Sequence, residues 1–377
     1  MTERGVREER QPAATDVVEV APGVLRLQLP ISLPGLGHVN CYALPDRRGV
    51  TLVDPGLPGR ATSRALATRL AQIGLDERAV HTVVVTHSHP DHFGQAGRLH
   101  RRTGAKVITH RTFRTLFDPA EEPSDDGPDA VVGAGDAVAD ATADAAERAD
   151  HAARGAERAG APPRRADPFG PTPWGGPAYR PPLVRRLRYR ALRLASGRLW
   201  ATARPTHRVD DADLVELGDH GWVAVHTPGH TVDHLCLLDP ERGVLLSGDH
   251  VLPTITPHIS GLGGTDDPLT AFFASLDRVG RLDGVATVLP AHGQPFADLP
   301  GRAAAIRRHH EERLDVLRTA GEELGWASVR QYTQRLFPER SWGPMADSET
   351  YAHLEHLRLA GDVDVRDDGT ELRYATR

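Results

Sequence analysis

The densest chemistry in this 377-residue chain is the hexapeptide His87-Ser88-His89-Pro90-Asp91-His92, with three imidazoles and one carboxylate in six residues. Imidazole and carboxylate together suit zinc, iron or manganese. The lack of thiolates argues against a structural zinc site, which is usually rich in cysteine. The bland alternative is a solvent loop that happens to be rich in histidine. Three further segments weigh against it: Thr227-Pro228-Gly229-His230, Ser247-Gly248-Asp249-His250 and Ala291-His292-Gly293 each place a candidate ligand just past an apolar, strand-like run. Ligands at the ends of several strands can converge on one sheet edge, where a rigid scaffold holds them.

Other histidines read differently. His226, His234 and His250 flank the motif positions, but side chains alternate along a strand, so structural or solvent-facing roles are expected for them. His258 follows Asp249 on a loop and is expected to face the groove and touch substrate. Cys41 and Cys236 lie in strand-like runs and read as small core residues, with no CxxC pair and no disulfide framework. Gly35-Leu36-Gly37 and Gly261-Leu262-Gly263-Gly264 do not link a strand to a helix as a phosphate loop would, and read as flexible turns near the groove.

The elements that must position these groups alternate between strand and helix. Strands are expected at 17–29, broken at Pro22-Gly23, and at 40–44, 50–53, 80–86 and 105–109. Leu66, Leu70 and Ile73 at i, i+4, i+7 predict an amphipathic helix over 59–73, and a short helix is expected at 95–102. Strands at 214–217, 222–226, 234–238, 244–246 and 285–289 and a helix at 267–279 form a second half resembling the first. Residues 118–208 interrupt them. They are rich in Ala, Asp, Arg, Gly and Pro and show no strand-like run, and 118–177 buries too little apolar surface to order itself. Within them, Leu183, Leu187, Ala191 and Leu194 interleave with arginines as a basic amphipathic helix over 183–200, read either as a lid folded over the groove or as an ordinary packing helix that anchors the insertion. The remainder, 301–377, has three helical segments and two short strands around Asp368-Gly369, the outline of a winged helix.

Composition bounds the function. A net charge of -6, from 45 basic and 51 acidic residues, argues against a chain that coats nucleic acid or anionic membrane with its whole surface. Residues 1–15 are polar with no signal-peptide core, and no stretch approaches the roughly 18 apolar residues of a membrane span. A disordered leader on a cytoplasmic protein with no membrane partner is expected. The sequence leaves the oligomeric state open.

The set HxHxDH, TPGH, SGD and AHG, in this order, resembles the metallo-β-lactamase superfamily, and Leu52-Val53-Asp54-Pro55-Gly56 matches its upstream strand-end motif. The resemblance runs from about Val17 to Pro300 apart from the insertion. It implies an α+β fold, a four-layer αββα sandwich over 16–300, followed by the small winged-helix domain at 301–377. It also implies two divalent metal ions, with zinc expected. His87, His89 and His230 would hold one, Asp91, His92 and His292 the other, and Asp249 would bridge them. His89 stands where the flavodiiron pattern has Glu. Two metals sharing a bridging hydroxide polarise a substrate oxygen and lower the pKa of the parent water toward neutrality, so the resemblance implies a hydrolase. Asp91 is the side chain expected to orient the hydroxide, and Asp54 is expected to fix a ligand or a turn behind it.

The tail resembles that of a superfamily branch containing a lactamase-β-like endoribonuclease and thioesterase-like hydrolases. With 12 Arg against 14 Asp plus Glu, residues 301–377 lack the positive footprint of a duplex-DNA reader. Three functions follow. The first is hydrolysis of a thioester or related acyl substrate, a small molecule whose thiol leaves without strong acid help. The second is a metal-dependent endoribonuclease acting on RNA. The third is a non-catalytic, ligand-sensing DNA-binding protein.

Overall fold

The computed structural model describes residues 7–33, 35–115, 172–176, 204–262 and 265–377. The helix expected at 183–200, with its role as a lid, and most of the insertion lie outside the described residues.

Two sheets face one another. The first holds β1 (Val18–Ala21), β2 (Val24–Leu33), β3 (Leu36–Asp46), β4 (Gly49–Val53), β5 (Val80–Val84), β6 (Lys106–His110) and β7 (His207–Val209), side by side in sequence order. Its first four strands pair antiparallel and β4 to β7 pair parallel. The second sheet has the order β12-β11-β10-β9-β8, built from β8 (Leu214–Leu217), β9 (His220–His226), β10 (Leu235–Asp239), β11 (Val244–Gly248) and β12 (Thr287–Pro290). Only β11 and β12 are parallel in it. Between the sheets lies one apolar layer, Tyr42, Leu44, Val53 and Val84 from the first meeting Trp222, Leu235, Leu237 and Leu246 from the second. Each such side chain, fully buried, contributes roughly 1.5–3 kcal/mol.

Helices cover both outer faces. On the first, α1 (Arg60–Gln72) buries Leu66 and Leu70 and α3 (Ala96–Thr103) buries Leu99 against Leu52, Val83 and Val107. The one-turn α2 (Pro90–Phe93) carries the end of the His-rich motif. On the second face, α4 (Pro268–Val279) and α5 (Leu299–Leu324) pack Phe272, Leu276 and Ile306 on Val225, Leu245 and Val288. The layers are therefore helix, sheet, sheet, helix, a mixed α+β arrangement.

The C-terminal segment continues from α5 through β13 (Ala327–Ser328), α6 (Val329–Leu336), α7 (Pro344–Ala360), β14 (Val363–Asp367) and β15 (Leu372–Thr376), the strands forming a sheet of order β13-β15-β14. Ser328 opens α6 with a capping box closed by Gln331. Tyr332, Leu354, Leu357 and Tyr374 share one apolar cluster with Leu245 and Val288, so this segment is packed onto the second sheet's helical face.

Four expectations change. The leader is ordered from Arg7 onward: Glu8 pairs with Arg26 and Gln28, Gln28 accepts from Ala14 N–H, and Arg69 reaches the Ala14 carbonyl. Those partners are remote in sequence, so composition could not reveal them. His207–Val209 is a strand inside the stretch read as strandless, because the edge of β6 offers it a parallel partner. Part of the insertion is anchored too. Trp174 is buried against Tyr351 at 5.0 Å between ring centres, and its carbonyl accepts from Leu372 N–H. Leu36 and Gly37 belong to β3 and only Gly35, at φ +85°, turns the hairpin, so this is a strand junction. Among the described residues, no helix is long and apolar enough to cross a membrane.

Candidate metal centre

Strand direction gathers the motifs. β4 and β5 are parallel, as are β11 and β12, and β9 runs with β11 because both are antiparallel to β10. Asp54, His87, Thr227, Asp249 and His292 follow the C-terminal ends of these five strands, so all reach one edge of the sandwich. The two halves are stitched there. Leu235 N–H donates to Thr86 O at 2.8 Å, Asn40 N–H donates to Ala291 O at 2.7 Å, and the Asn40 amide and the Tyr42 hydroxyl both reach Pro290 O. Gly248, at φ +50°, allows this approach, since a Cβ there would lie 2.6 Å from His234 Nε2.

All seven ligand candidates come together, in two adjoining groups: His87, His89, His230 and Asp249, then Asp91, His92 and His292. His89 Nδ1 lies 3.0 Å from His87 Nε2 and 3.1 Å from His230 Nε2. Tetrahedral ligands on zinc, at roughly 2.0–2.1 Å, would stand roughly 3.3 Å apart. Asp249 joins the groups: Oδ2 lies 3.7 Å from His230 Nε2 and 3.5 Å from His92 Nε2, and Oδ1 lies 3.5 Å from His292 Nε2. Asp91 Oδ2 is 3.5 Å from His292 Nε2 and 3.7 Å from His92 Nε2.

The outer hydrogen bonds fix which nitrogen faces inward. His92 Nδ1 donates to Asp54 Oδ2 at 2.7 Å, His230 Nδ1 to His258 O at 2.7 Å and His292 Nδ1 to His38 O at 3.0 Å. The Thr86 hydroxyl donates to Asp54 Oδ2 at 2.7 Å, so its oxygen accepts from His87 Nδ1 at 3.0 Å. In each neutral ring Nε2 then carries a lone pair toward the centre. His92 Nε2, His292 Nε2 and Asp249 Oδ1 are buried there without a hydrogen-bond partner. Buried polar atoms are rarely left so, and this donor set fits divalent cations. Asp54 sits in the left-handed region at φ +54°, held there by the Thr86 N–H as well.

Electrostatics agrees. Burial, reinforced by neighbouring imidazoles, holds His87 well below its ordinary value and His89 down to about 3, so both rings are neutral. Burial opposes ionisation of Asp91 and Asp249, yet the facing imidazoles win, bringing Asp91 to about 2 and holding Asp249 well below the usual carboxylate range. Burial would push His92 and His292 down, but the surrounding carboxylates raise both. Three carboxylates, Asp54, Asp91 and Asp249, thus draw positive charge into a buried space.

His234 accepts from Asp249 N–H at 3.0 Å and donates to the Thr227 hydroxyl at 2.7 Å, a structural role. His226 stacks on His110 at 3.8 Å, and His250 packs edge-on against Phe272. His258 orients His230 through its backbone, while its ring pairs with Glu349 of α7 at 3.2 Å. The sequence carried no sign of the His38 and His258 carbonyls or of the Thr86 hydroxyl, although Thr86 adjoins the motif. A third grouping, His310, Glu349 and His353, is a hydrogen-bonded packing network: His310 Nδ1 meets His353 Nε2 at 3.0 Å, His353 Nδ1 donates to Glu349 O, and Arg313 pairs with the Glu349 carboxylate.

A buried, carboxylate-rich cradle of imidazoles at the edge of a two-sheet sandwich defines a candidate metal centre. The family model for the metallo-beta-lactamase superfamily matches residues 34–292, and the chain belongs to that superfamily. A metallo-beta-lactamase family protein from Thermus thermophilus is 29% identical, covering 95% of this chain and all of its own, with a TM-score of 0.68. A beta-lactamase domain protein from Burkholderia ambifaria is 28% identical over 97% of this chain and 96% of its own, with a TM-score of 0.69. The lactamase-like protein vrtG of Penicillium aethiopicum is 38% identical over 97 residues, 26% of this chain. That match spans only 29% of the Penicillium protein.

Proposed function

We propose that the two ligand groups hold two divalent ions, zinc in the first instance, and that the substrate is a thioester or a related acyl compound. The observation that carries the dinuclear reading is Asp249, whose two oxygens face histidines of both groups. When bound, the ions would polarise the scissile carbonyl and bring water's pKa toward neutrality. Asp91, ionised and 3.5 Å from His292, is a proton acceptor at Oδ2 that orients the attacking water. Asp54, Thr86 and the carbonyls of His38 and His258 keep the ring nitrogens aimed inward.

A thiol leaving group is favoured by what stands around the site. The chain's one lysine, Lys106, is exposed on β6, and the Tyr42 hydroxyl is committed to Pro290 O, so neither is placed to protonate a leaving group. A thiol of pKa about 8.5 needs little such help, whereas an alkoxide does. The intact ligand set supports catalysis over a purely sensing role. The order helix, strand, two helices, two strands from α5 to β15 supports a winged helix, which we assign to packing and lining the groove.

The test is a parallel assay of the purified, zinc-reconstituted protein on acyl-coenzyme A, acyl-glutathione, single-stranded RNA, lactones and β-lactams. Hydrolysis of the thioesters at the highest kcat/KM is expected. RNA cleavage with no thioesterase activity would overturn the acyl reading in favour of the endoribonuclease.

A further inference from the structure

Outside the metal centre, a strongly cationic cleft lies among the described residues. It has a volume of about 470 Å³ and lies between α5, the 254–256 loop and the N-terminal Arg7. Its charged lining is Arg7, Arg302, Arg308 and Arg313, with His309, against Glu312 alone. Arg313 is offset by Glu349 at 3.1 Å. Arg302 binds only neutral groups, the carbonyls of Leu252 and Ile255. The Arg7 and Arg308 side chains make no ion pair or hydrogen bond among the described residues, and both are exposed. His309 Nε2 accepts from Arg313 Nε at 2.8 Å, which leaves its Nδ1–H to donate. Three arginines without a carboxylate partner thus line the cleft with one glutamate, and Thr254 and Thr256 complete its polar lining.

From this geometry we infer that the cleft binds a phosphate-bearing part of the substrate. Guanidinium forks match phosphate oxygens bidentately, and the volume falls in the range of organic ligands, well beyond the needs of a bare phosphate ion. Its place in the fold ties it to the metal centre. Part of the lining, Thr254 to Thr256, belongs to the loop running from Asp249 to His258, and Thr256 is at most about 7 Å of chain from His258. The carbonyl of His258 aims His230, and Arg313 reaches the His258 ring through Glu349. A molecule seated by its phosphate here extends its other end along that loop to the metal-facing nitrogens. The assignment rests on the acyl-hydrolase reading and narrows it to thioesters of a phosphorylated thiol.

The experiment is calorimetric titration of the full-length protein with adenosine 3′,5′-bisphosphate and, separately, inorganic phosphate. It is paired with kinetics on an acyl-coenzyme A and on the matching uncharged N-acetylcysteamine thioester. The bisphosphate should bind, compete with acyl-coenzyme A, and lose at least tenfold in affinity in the double variant Arg7→Gln/Arg308→Gln. The ratio of kcat/KM between the phosphorylated and uncharged thioesters should fall about tenfold in that variant. Absence of binding, or an affinity unchanged in the variant, would overturn the inference. So would binding of either probe that leaves acyl-coenzyme A turnover untouched, since it would make the anion a free effector. Bisphosphate binding that depends on Arg7 and Arg308, with neither thioester hydrolysed, would keep the phosphate site and refute the thioester reading.

Discussion

Replacing Asp54 by Asn should disable both ligand groups at once, because this one carboxylate sets the proton positions of a histidine in each. Oδ2 accepts from His92 Nδ1 and from the Thr86 hydroxyl, both at 2.7 Å, and the hydroxyl oxygen in turn accepts from His87 Nδ1 at 3.0 Å. Oδ1 accepts from Thr86 N–H at 2.9 Å. An amide offers one acceptor oxygen. If its NH2 faces the Thr86 N–H, donor meets donor. If it faces His92 and the hydroxyl, His92 must carry its proton on Nε2, and the hydroxyl turns to donate to His87, shifting that proton to Nε2 as well. Both inward nitrogens then lose their lone pairs. Asn has the same shape and tolerates φ +54°, so the fold should survive. Loss of a ligand-orienting partner typically costs about 10–100-fold in metal affinity, or about 1.4–2.7 kcal/mol. Cobalt titration followed by d–d absorption should therefore show that weakening for both equivalents. Thr86→Val, which removes only the His87 partner, should weaken chiefly one. An Asp54→Asn protein that keeps its circular dichroism spectrum and binds both equivalents within twofold of wild type would refute the reasoning.

Elemental analysis of protein purified without chelator should find near two metal equivalents, and Asp249→Ala should lose most of the second and abolish turnover; a fully active protein with one metal or none would contradict the bridging role. Glu349 is buried; burial opposes its ionisation, but His258, Arg313 and His353 depress it from 4.5 to about 2. A depressed carboxylate stabilises the fold above its unfolded pKa and loses that contribution as pH falls through its folded one, so the window is pH 4.5 to 2. At 1.36 kcal/mol per unit this is about 3 kcal/mol. Glu349→Gln should thus be less stable to urea at pH 7, with the gap closing as the pH is lowered; a gap independent of pH would show that the ion pairs contribute nothing. The full-length protein should give no saturable anisotropy change with duplex DNA at physiological salt, and tight, salt-sensitive binding would show that the acidic balance of 301–377 misleads.

Sequence alone marked the candidate ligands because their chemistry and their place were both local. Each of His87, His230, Asp249 and His292 follows an apolar run whose alternation or β-branched content marks a strand, and a strand end is where a rigid side chain can be aimed. The helix over 59–73 and the turn at Pro22-Gly23 were legible for the same reason: periodicity and turn chemistry act between neighbours. The tertiary structure decided what depends on partners far apart in the chain. Which ring nitrogen of His230 and His292 faces inward is set by the carbonyls of His258 and His38, and a backbone carbonyl leaves no trace in residue identity. Asp54 reaches His92 across 38 positions, and its strained backbone is held by Thr86, 32 positions away. Arg7–Gln11 and Trp174 lie in polar, low-complexity surroundings and order only because distant strands and helices supply their partners. The cationic cleft joins Arg7 to α5 across nearly 300 residues, so its charge is invisible to any window along the chain and exists only once the layers have packed.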